Sequence, residues 1–392
     1  MRITVVGGAG RVGLPLSVLL AKAGHRVDAL DTDSYRVDSV KQGIVPFKED
    51  GLDELLHSVL ANAGMRPTVD YSVIADAEVV FVVVGTDLNA AGDPQNDSVF
   101  AAIDRVREFL SPETLVVLRS TVMPGTTEMV QQKLRDVTSH VAYCPERIAE
   151  GQAVREMSEI PQLVGCNGDD ATFEVVSRLF SSLEVECVRV SIREAELGKL
   201  ILNAWRYAQF AFGNEFARLC ESNGVNFSNV LSAIRHRYPR ADGLKSAGLA
   251  GGPCLEKDTR QLLAASDRGS RLLEAVVATH EEVLVRVMNR VERLVNLPGS
   301  TVALLGLTFK PGSDDLRGSP AVELAERLRT RAKSLLVVDP HVVGKVDYTL
   351  VALDEALRLA DVVVIGTHHE EFRGLKAGVS VVDAADCFGS DI

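Results

Sequence analysis

Met1–Gly13 reads MRITVVGGAGRVG. A β-branched run, Ile3–Val6, leads into Gly8-Ala-Gly10-Arg11-Val12-Gly13, and an apolar, helix-like stretch follows. Glycines at this spacing permit a tight turn, close approach of the backbone to a pyrophosphate, and close packing of helix on strand. The helix N-terminus favours the phosphate charge. A second strand candidate, Arg26–Leu30, runs into Asp31. A carboxylate there can accept hydrogen bonds from an adenosine ribose and would repel a 2′-phosphate, so the expected cofactor is NAD rather than NADP. Without the flanking strand, helix and acid, the same glycines would indicate only a tight turn.

Outward from this turn the pattern repeats. Strands are expected at Val79–Val84, Leu115–Leu118, Val141–Tyr143 and Cys187–Val190, separated by amphipathic stretches. Continuous apolar strands alternating with helices predict a parallel sheet covered on both faces. From Arg193 to Glu221 the period changes. Leu197, Leu200, Ile201, Ala204, Tyr207, Ala208 and Ala211 recur at helical spacing, and Arg271–Val295 predicts another long helix. Leu297-Pro298-Gly299 then breaks the helical pattern, and strand-like runs return at Thr301–Leu305, Leu335–Val338, Val362–Ile365 and Val381–Val382. The expected architecture is α/β, with two Rossmann-like doubly wound parallel-sheet domains joined by a long helix and a helical central domain. The expected boundaries are 1–192, 193–297 and 298–392.

Composition narrows the partners. The chain has 392 residues and a net charge of −12, which argues against nucleic acid, since a phosphate backbone needs a basic surface. Apolar runs are too short to span a bilayer, and the N-terminus enters a strand directly, so a cytoplasmic protein is expected. Cys144, Cys166, Cys187, Cys220, Cys254 and Cys387 are scattered, which favours neither a metal site nor a disulfide framework.

One cysteine has special surroundings. Gly251-Gly252-Pro253-Cys254-Leu-Glu-Lys257-Asp258 places a thiol after a fixed turn, next to a lysine, and before a helix-like stretch from Asp258. A helix N-terminus and a cation lower a thiol's pKa and sharpen it as a nucleophile. Lys199 and Asn203, four apart on the long helix, can stabilise an oxyanion together, although alone they fit a solvated face equally well. Glu146 and Glu150, in Cys144-Pro-Glu-Arg-Ile-Ala-Glu-Gly151, follow a strand; one can serve as a base or hold a water, or both can be ordinary loop charges.

In this order, these segments resemble the UDP-glucose/UDP-N-acetylhexosamine/GDP-mannose 6-dehydrogenase family. GGAGRVG, GLDELL from Gly51, Ser120-Thr-Val-Met-Pro-Gly-Thr126, CPERIAEG, the Glu196/Lys199/Asn203/Asn214-Glu215 helix, GGPCLEKD and Gly306-Leu-Thr-Phe-Lys310-Pro-Gly-Ser-Asp-Asp-Leu-Arg317-Gly-Ser-Pro320 carry the resemblance over nearly the whole chain. It implies Cys254 as nucleophile, with Lys199, Asn203 and Asp258 as polar catalytic neighbours. Glu146 is then tied to thioester hydrolysis, with Thr121 and Glu150 near the cofactor and a catalytic water. Gly8, Gly10, Arg11, Val12, Gly13, Asp31, Arg36, Thr86, Thr121 and Arg317 would meet NAD. Arg147, Lys199, Asn203, Arg240, Lys245, Gly251 and Lys310 would meet the UDP-sugar, with Arg240 offered to a partner subunit of a homodimer. No metal is implied. Three departures stand out: Gly248-Leu-Ala-Gly-Gly in place of a glycine two residues before the GG, Gly85-Thr86-Asp87 in place of Pro-Thr-Pro, and Gly318 in place of Glu after Arg317.

The resemblance implies a four-electron oxidation of a C6 alcohol to a carboxylate through a thiohemiacetal and a thioester. Pro-Glu-Arg after Cys144 resembles the UDP-N-acetylhexosamine branch more than the UDP-glucose branch. A β-hydroxyacid dehydrogenase would share the Rossmann domain and the Lys-x-x-x-Asn helix, but needs neither GGPC nor a C-terminal α/β unit. A catalytically silent nucleotide-sugar binder would not need the set of Cys, Lys, Asn, Asp and Glu.

Overall fold

The computed structural model describes residues 1–86, 88–89, 92–342 and 346–384; Asp87 and Cys387, both singled out above, lie outside them. The chain divides into two compact units, Met1–Ile201 with Arg260–Ala265, and Leu202–Thr259 with Ser266–Ile392.

The first unit is built on an eight-stranded sheet: β1 (Arg2–Val6), β2 (Arg26–Leu30), β3 (Met65–Thr68), β4 (Val79–Val82), β5 (Leu115–Leu118), β6 (Val141–Tyr143), β7 (Gln162–Gly165) and β8 (Cys187–Val190). Their spatial order is β3-β2-β1-β4-β5-β6-β7-β8. The first six are parallel and follow the doubly wound dinucleotide order, which reverses between β1 and β4. Helices α1 (Gly13–Lys22), α2 (Ser34–Lys41), α3 (Leu52–Ala61), α4 (Asp97–Arg107), α5 (Thr126–Leu134), α6 (Ala153–Glu159) and α7 (Asp170–Ser181) connect them. The central strands are apolar at every position because both faces are covered: Val79, Phe81, Leu115 and Val117 pack on one side, Val80, Val82, Val116 and Leu118 on the other.

Two strands were not expected from the sequence. β3 contains Arg66 and Pro67 and survives because it is an edge strand, where a proline costs no ladder bond on the open side. β7 is only Gln-Leu-Val-Gly, and it meets β6 antiparallel at Tyr143 and Gly165, the exception to the otherwise parallel pairing.

Helix α8 (Ile192–Ser222) runs unbroken for 31 residues, starting in the first unit and ending in the second. The second unit continues with α9 (Phe227–Arg235), the start of α10 (Leu255–Ala264), whose residues from Arg260 belong to the first unit, and with α11 (Arg271–Leu294), α12 (Pro320–Arg329) and α13 (Leu353–Leu359). Its sheet contains β9 (Thr301–Leu305), β10 (Ser334–Val338), β11 (Val362–Ile365) and β12 (Ser380–Asp383), all parallel, in the order β10-β9-β11-β12. No helix among the described residues is long and apolar enough to cross a membrane.

Candidate active site

The glycine turn is where it was read. Gly7 sits at φ +86° and donates to the Leu30 carbonyl at 2.8 Å. A Cβ on Gly13 would lie 2.0 Å from the Gly7 carbonyl oxygen, and one on Gly8 would lie 2.7 Å from Ala29 Cα, so neither position has room for a side chain. The turn enters α1 directly at Gly13, with Val12 in the N-cap position and no side chain capping the helix. Backbone donors therefore remain available for an anion. Asp31 directly follows β2 and accepts the Ala9 and Asp33 N–H groups, each at 3.1 Å. An ionised carboxylate has about four acceptor sites, so capacity is left for ribose hydroxyls. Arg36 sits one turn into α2 and pairs with Asp33 at 3.3 Å.

Beyond β5 and β6 the same unit gathers polar groups. Thr86 is buried and donates to the Thr121 carbonyl at 2.7 Å. Glu146 is filled on both oxygens: Oε1 accepts the Arg147 and Ile148 N–H groups at 2.7 and 3.0 Å, and Oε2 accepts a guanidinium N–H of the buried Arg119. Arg119 also donates to Gln162 Oε1 at 2.8 Å and to the Cys144 carbonyl at 3.1 Å. Glu150 pairs with Arg11 at 2.8 Å, which ties the glycine turn to the CPERIAEG segment. Arg147 turns its guanidinium to the Pro161 carbonyl. Two further buried carboxylates brace these loops. Glu49 accepts from Gly151 and Ala153, and Glu196 from Gly125 and Thr127; burial pushes both pKa values up against those N–H groups.

In the second unit, α10 starts at Leu255, three residues earlier than the helix expected from Asp258. Cys254 is exposed immediately before its first turn, and its carbonyl accepts the Asp258 N–H at 2.8 Å. Asp258 is fully buried. Its carboxylate accepts from Asn203 Nδ2 at 2.5 Å and pairs with Lys257 Nζ at 2.6 Å. Lys257, read above as the thiol's neighbour, is also a counter-ion of Asp258. Lys199, one helical turn before Asn203, is also buried.

The segment before the thiol is closely packed. Asn214 holds Gly248 at both ends, donating to its carbonyl at 3.0 Å and accepting its N–H at 2.7 Å. A Cβ on Gly213 would meet the Lys245 and Ser246 carbonyl oxygens at 2.6 Å, so this loop lies directly on α8. Arg240, in the single turn Pro239–Ala241, is exposed. Gly252 donates to the Gly318 carbonyl at 2.8 Å. Gly318 stands at φ +60°, and a Cβ there would lie 2.7 Å from the Gly252 oxygen. The glycine after Arg317 is therefore what lets the two loops touch. Arg317 forks onto the buried Asp315, with bonds of 2.6 to 3.0 Å, and Lys310 Nζ stands 5.6 Å from the Phe309 ring centre.

Three segments match one family in order: its NAD binding domain at residues 1–184, its central domain at 193–282 and its UDP binding domain at 303–388. The chain belongs to the UDP-glucose/GDP-mannose dehydrogenase family. It is an NAD-dependent oxidoreductase of that family, with a nucleotide-sugar substrate. A UDP-glucose 6-dehydrogenase from Rhizobium meliloti is 33% identical over 96% of this chain and 91% of its own length. Among solved structures, a UDP-glucose dehydrogenase from Pyrobaculum islandicum is 29% identical with a TM-score of 0.90, over 98% of this chain and 94% of that one. A UDP-D-ManNAc dehydrogenase from Pyrococcus horikoshii is 25% identical with the same TM-score, over 99% and 100%.

Within this family member, sequence reading missed Arg119, Glu49, Asp339 and His369. Asp339, just after β10, accepts the Leu307, Thr308, His341 and Val342 N–H groups. His369 Nδ1 accepts the Gly312 N–H at 3.2 Å, so Nε2 carries the proton and faces Asp339 Oδ2 at 3.2 Å. His341, His369 and Glu371 offer ligand atoms within 4.8 Å of one another. With both ring nitrogens engaged, His369 has no lone pair for an ion.

Proposed function

We propose that the chain oxidises the C6 hydroxyl of a UDP-sugar, UDP-N-acetylhexosamine or UDP-glucose, to the carboxylate by way of a covalent intermediate on Cys254. The observation that carries this reading is the thiol's position at the start of α10, one turn from a buried Asp258 held by Asn203 and Lys257. A negative sulfur is favoured at a helix N-terminus.

A water held by Asp258 takes the hydroxyl proton while the C6 carbon gives up a hydride, and the donors of Lys199 and Asn203 meet the developing oxyanion. The Cys254 thiolate adds to the resulting aldehyde, forming the C–S bond of a thiohemiacetal. Loss of a second hydride leaves a thioester. Water adds to the acyl carbon, the C–S bond breaks, and the thiolate returns as the carboxylate leaves. Each sugar thus gives up two hydrides, consumes one water and releases three protons, one from the hydroxyl and two from the water. NAD, bound twice in turn, supplies the hydride acceptor. In this reading Gly8, Gly10, Val12, Gly13, Asp31, Thr86 and Thr121 hold the cofactor, while Arg36 and Arg317 contact it. Lys245, Gly251 and Lys310 hold the nucleotide sugar. Glu150 and Glu146 act on the water, Glu146 as an anion already fixed by three donors.

The reading includes a cytoplasmic homodimer with the three domains expected above. Trp205, Phe212, Phe216 and Leu219 form an exposed apolar stripe on α8, too large to leave in water without cost. Sedimentation at micromolar concentration should find a dimer, and Trp205→Glu should convert it to monomer. A wild-type monomer would remove the stripe's assigned role.

Turnover with a panel of UDP-glucose, UDP-GlcNAc, UDP-ManNAc, UDP-GalNAc and GDP-mannose, read as NADH, identifies the sugar. Two NADH per sugar are expected. Cys254→Ala should stall at the aldehyde with no protein adduct. Cys254→Ser should accumulate an ester visible in the intact mass. Uronate production by Cys254→Ala at a rate near wild type would exclude the thioester route.

A further inference from the structure

His369 follows β11, is fully buried and takes no part in the chemistry above. Its ring lies under the loop from Gly306 to Pro320. Nδ1 accepts the Gly312 N–H, and the Nε2 proton is shared between Asp339 Oδ2 and Thr308 Oγ1, each at 3.2 Å. Thr308 Oγ1 in turn donates to the Lys310 carbonyl at 3.0 Å. One imidazole therefore fixes the loop before and after Phe309-Lys310. The loop closes on itself where Phe309 N–H meets the Asp315 carbonyl at 3.1 Å.

The same loop is the floor of the cysteine turn. A Cβ on Gly252 would lie 2.5 Å from the Phe309 ring, and one on Gly251 would lie 2.4 Å from Pro320 Cδ. With the Gly252–Gly318 hydrogen bond, these close approaches seat the residues before Cys254 directly on the loop. Interiors this close-packed transmit displacement rather than absorbing it.

We propose that His369 is a positioning residue: by fixing the Gly306–Pro320 loop it sets both Lys310 for the nucleotide and the turn that presents Cys254, so that nucleotide loop and thiol are placed as one piece. The part concerning turnover rests on the function proposed above; the coupling of loop to thiol does not.

The test uses His369→Phe, which keeps the volume and removes every hydrogen bond, and His369→Gln, which keeps a donor toward Asp339. The first readout is the rate of Cys254 alkylation by iodoacetamide, assigned by peptide mapping, in the full chain without substrate. His369→Phe should change that rate about fivefold or more, raise KM for the UDP-sugar and lower kcat about tenfold, with NAD affinity unchanged and His369→Gln recovering most of both effects. UDP alone should slow alkylation in wild type and less so in His369→Phe. Should His369→Phe not fold, Thr308→Val, which removes the hydroxyl linking His369 to the Lys310 carbonyl, is read in its place and should shift alkylation and KM in the same directions. A folded variant with unchanged alkylation and kinetics overturns the proposal. Altered alkylation in a protein that oxidises no nucleotide sugar would keep the coupling and discard the function.

Discussion

The turn after β1 and the turn after β9 begin identically and end differently. Gly7 and Gly306 both stand at φ +86°, and each donates to the last carbonyl of the neighbouring strand, Leu30 at 2.8 Å and Val338 at 2.7 Å. Each second strand is followed by an aspartate that accepts N–H groups from the turn, Asp31 from Ala9 and Asp339 from Leu307 and Thr308. There the likeness stops. The first turn enters its helix at Gly13, leaving backbone donors and part of Asp31 to a ligand. The second turn runs on to Pro320, and its aspartate is buried and filled from within by His341, Val342 and His369. The same strand topology makes a dinucleotide cradle when the loop is short. When the loop is long, the corresponding carboxylate becomes an internal clamp, filled by the chain's own donors.

Two substitutions sharpen this contrast. Asp31→Ala should weaken NAD binding about 10- to 100-fold, the range expected for lost charged hydrogen bonds, and weaken NADP much less. An unchanged NAD/NADP ratio, measured by cofactor titration, would mean that the open aspartate does no more for the ligand than the closed one.

The smaller effect concerns acid. Burial pushes the Asp339 pKa up, but hydrogen bonds from His369 and from the Leu307 and His341 N–H groups outweigh it and hold the carboxyl at about 2. A carboxyl depressed below its unfolded value of 3.8 stabilises the fold above that pH and loses the contribution as pH falls toward 2. The difference corresponds to about 2 kcal/mol. Asp339→Asn should therefore lower stability at pH 7 while flattening its fall between pH 4 and pH 2, as followed by denaturant melts. An acid profile as steep as wild type would show that the clamp carries no such energy.

The glycine turn, α8, α11 and the strands of both sheet centres were legible because period and composition agree there. Val79–Val82 is apolar throughout and α8 keeps its period for 31 residues. β3 was not legible, because Pro67 contradicts a strand unless the strand is known to lie at the edge. Within the candidate site, Cys254, Asn203 and Asp258 could be named from local motifs. Their partners could not. Arg119 reaches Glu146 only because β5 lies beside β6, and His369 reaches Gly312 and Asp339 only because β11 and β10 flank β9. Such pairs depend on sheet order, which no single segment encodes. The spacing of Lys257 from Cys254 suggested a cation for the thiol; its pairing with the buried Asp258 was not read from that spacing.

The clamp at Asp339 also has a consequence in time. Surface loops ordinarily move in nanoseconds to microseconds, but the amides of Leu307, Thr308 and Gly312 are bonded to groups that are themselves buried. Their hydrogen exchange should therefore be slower than that of an ordinary exposed loop. A stretch without regular secondary structure is thus expected to keep the clock of the sheet beneath it.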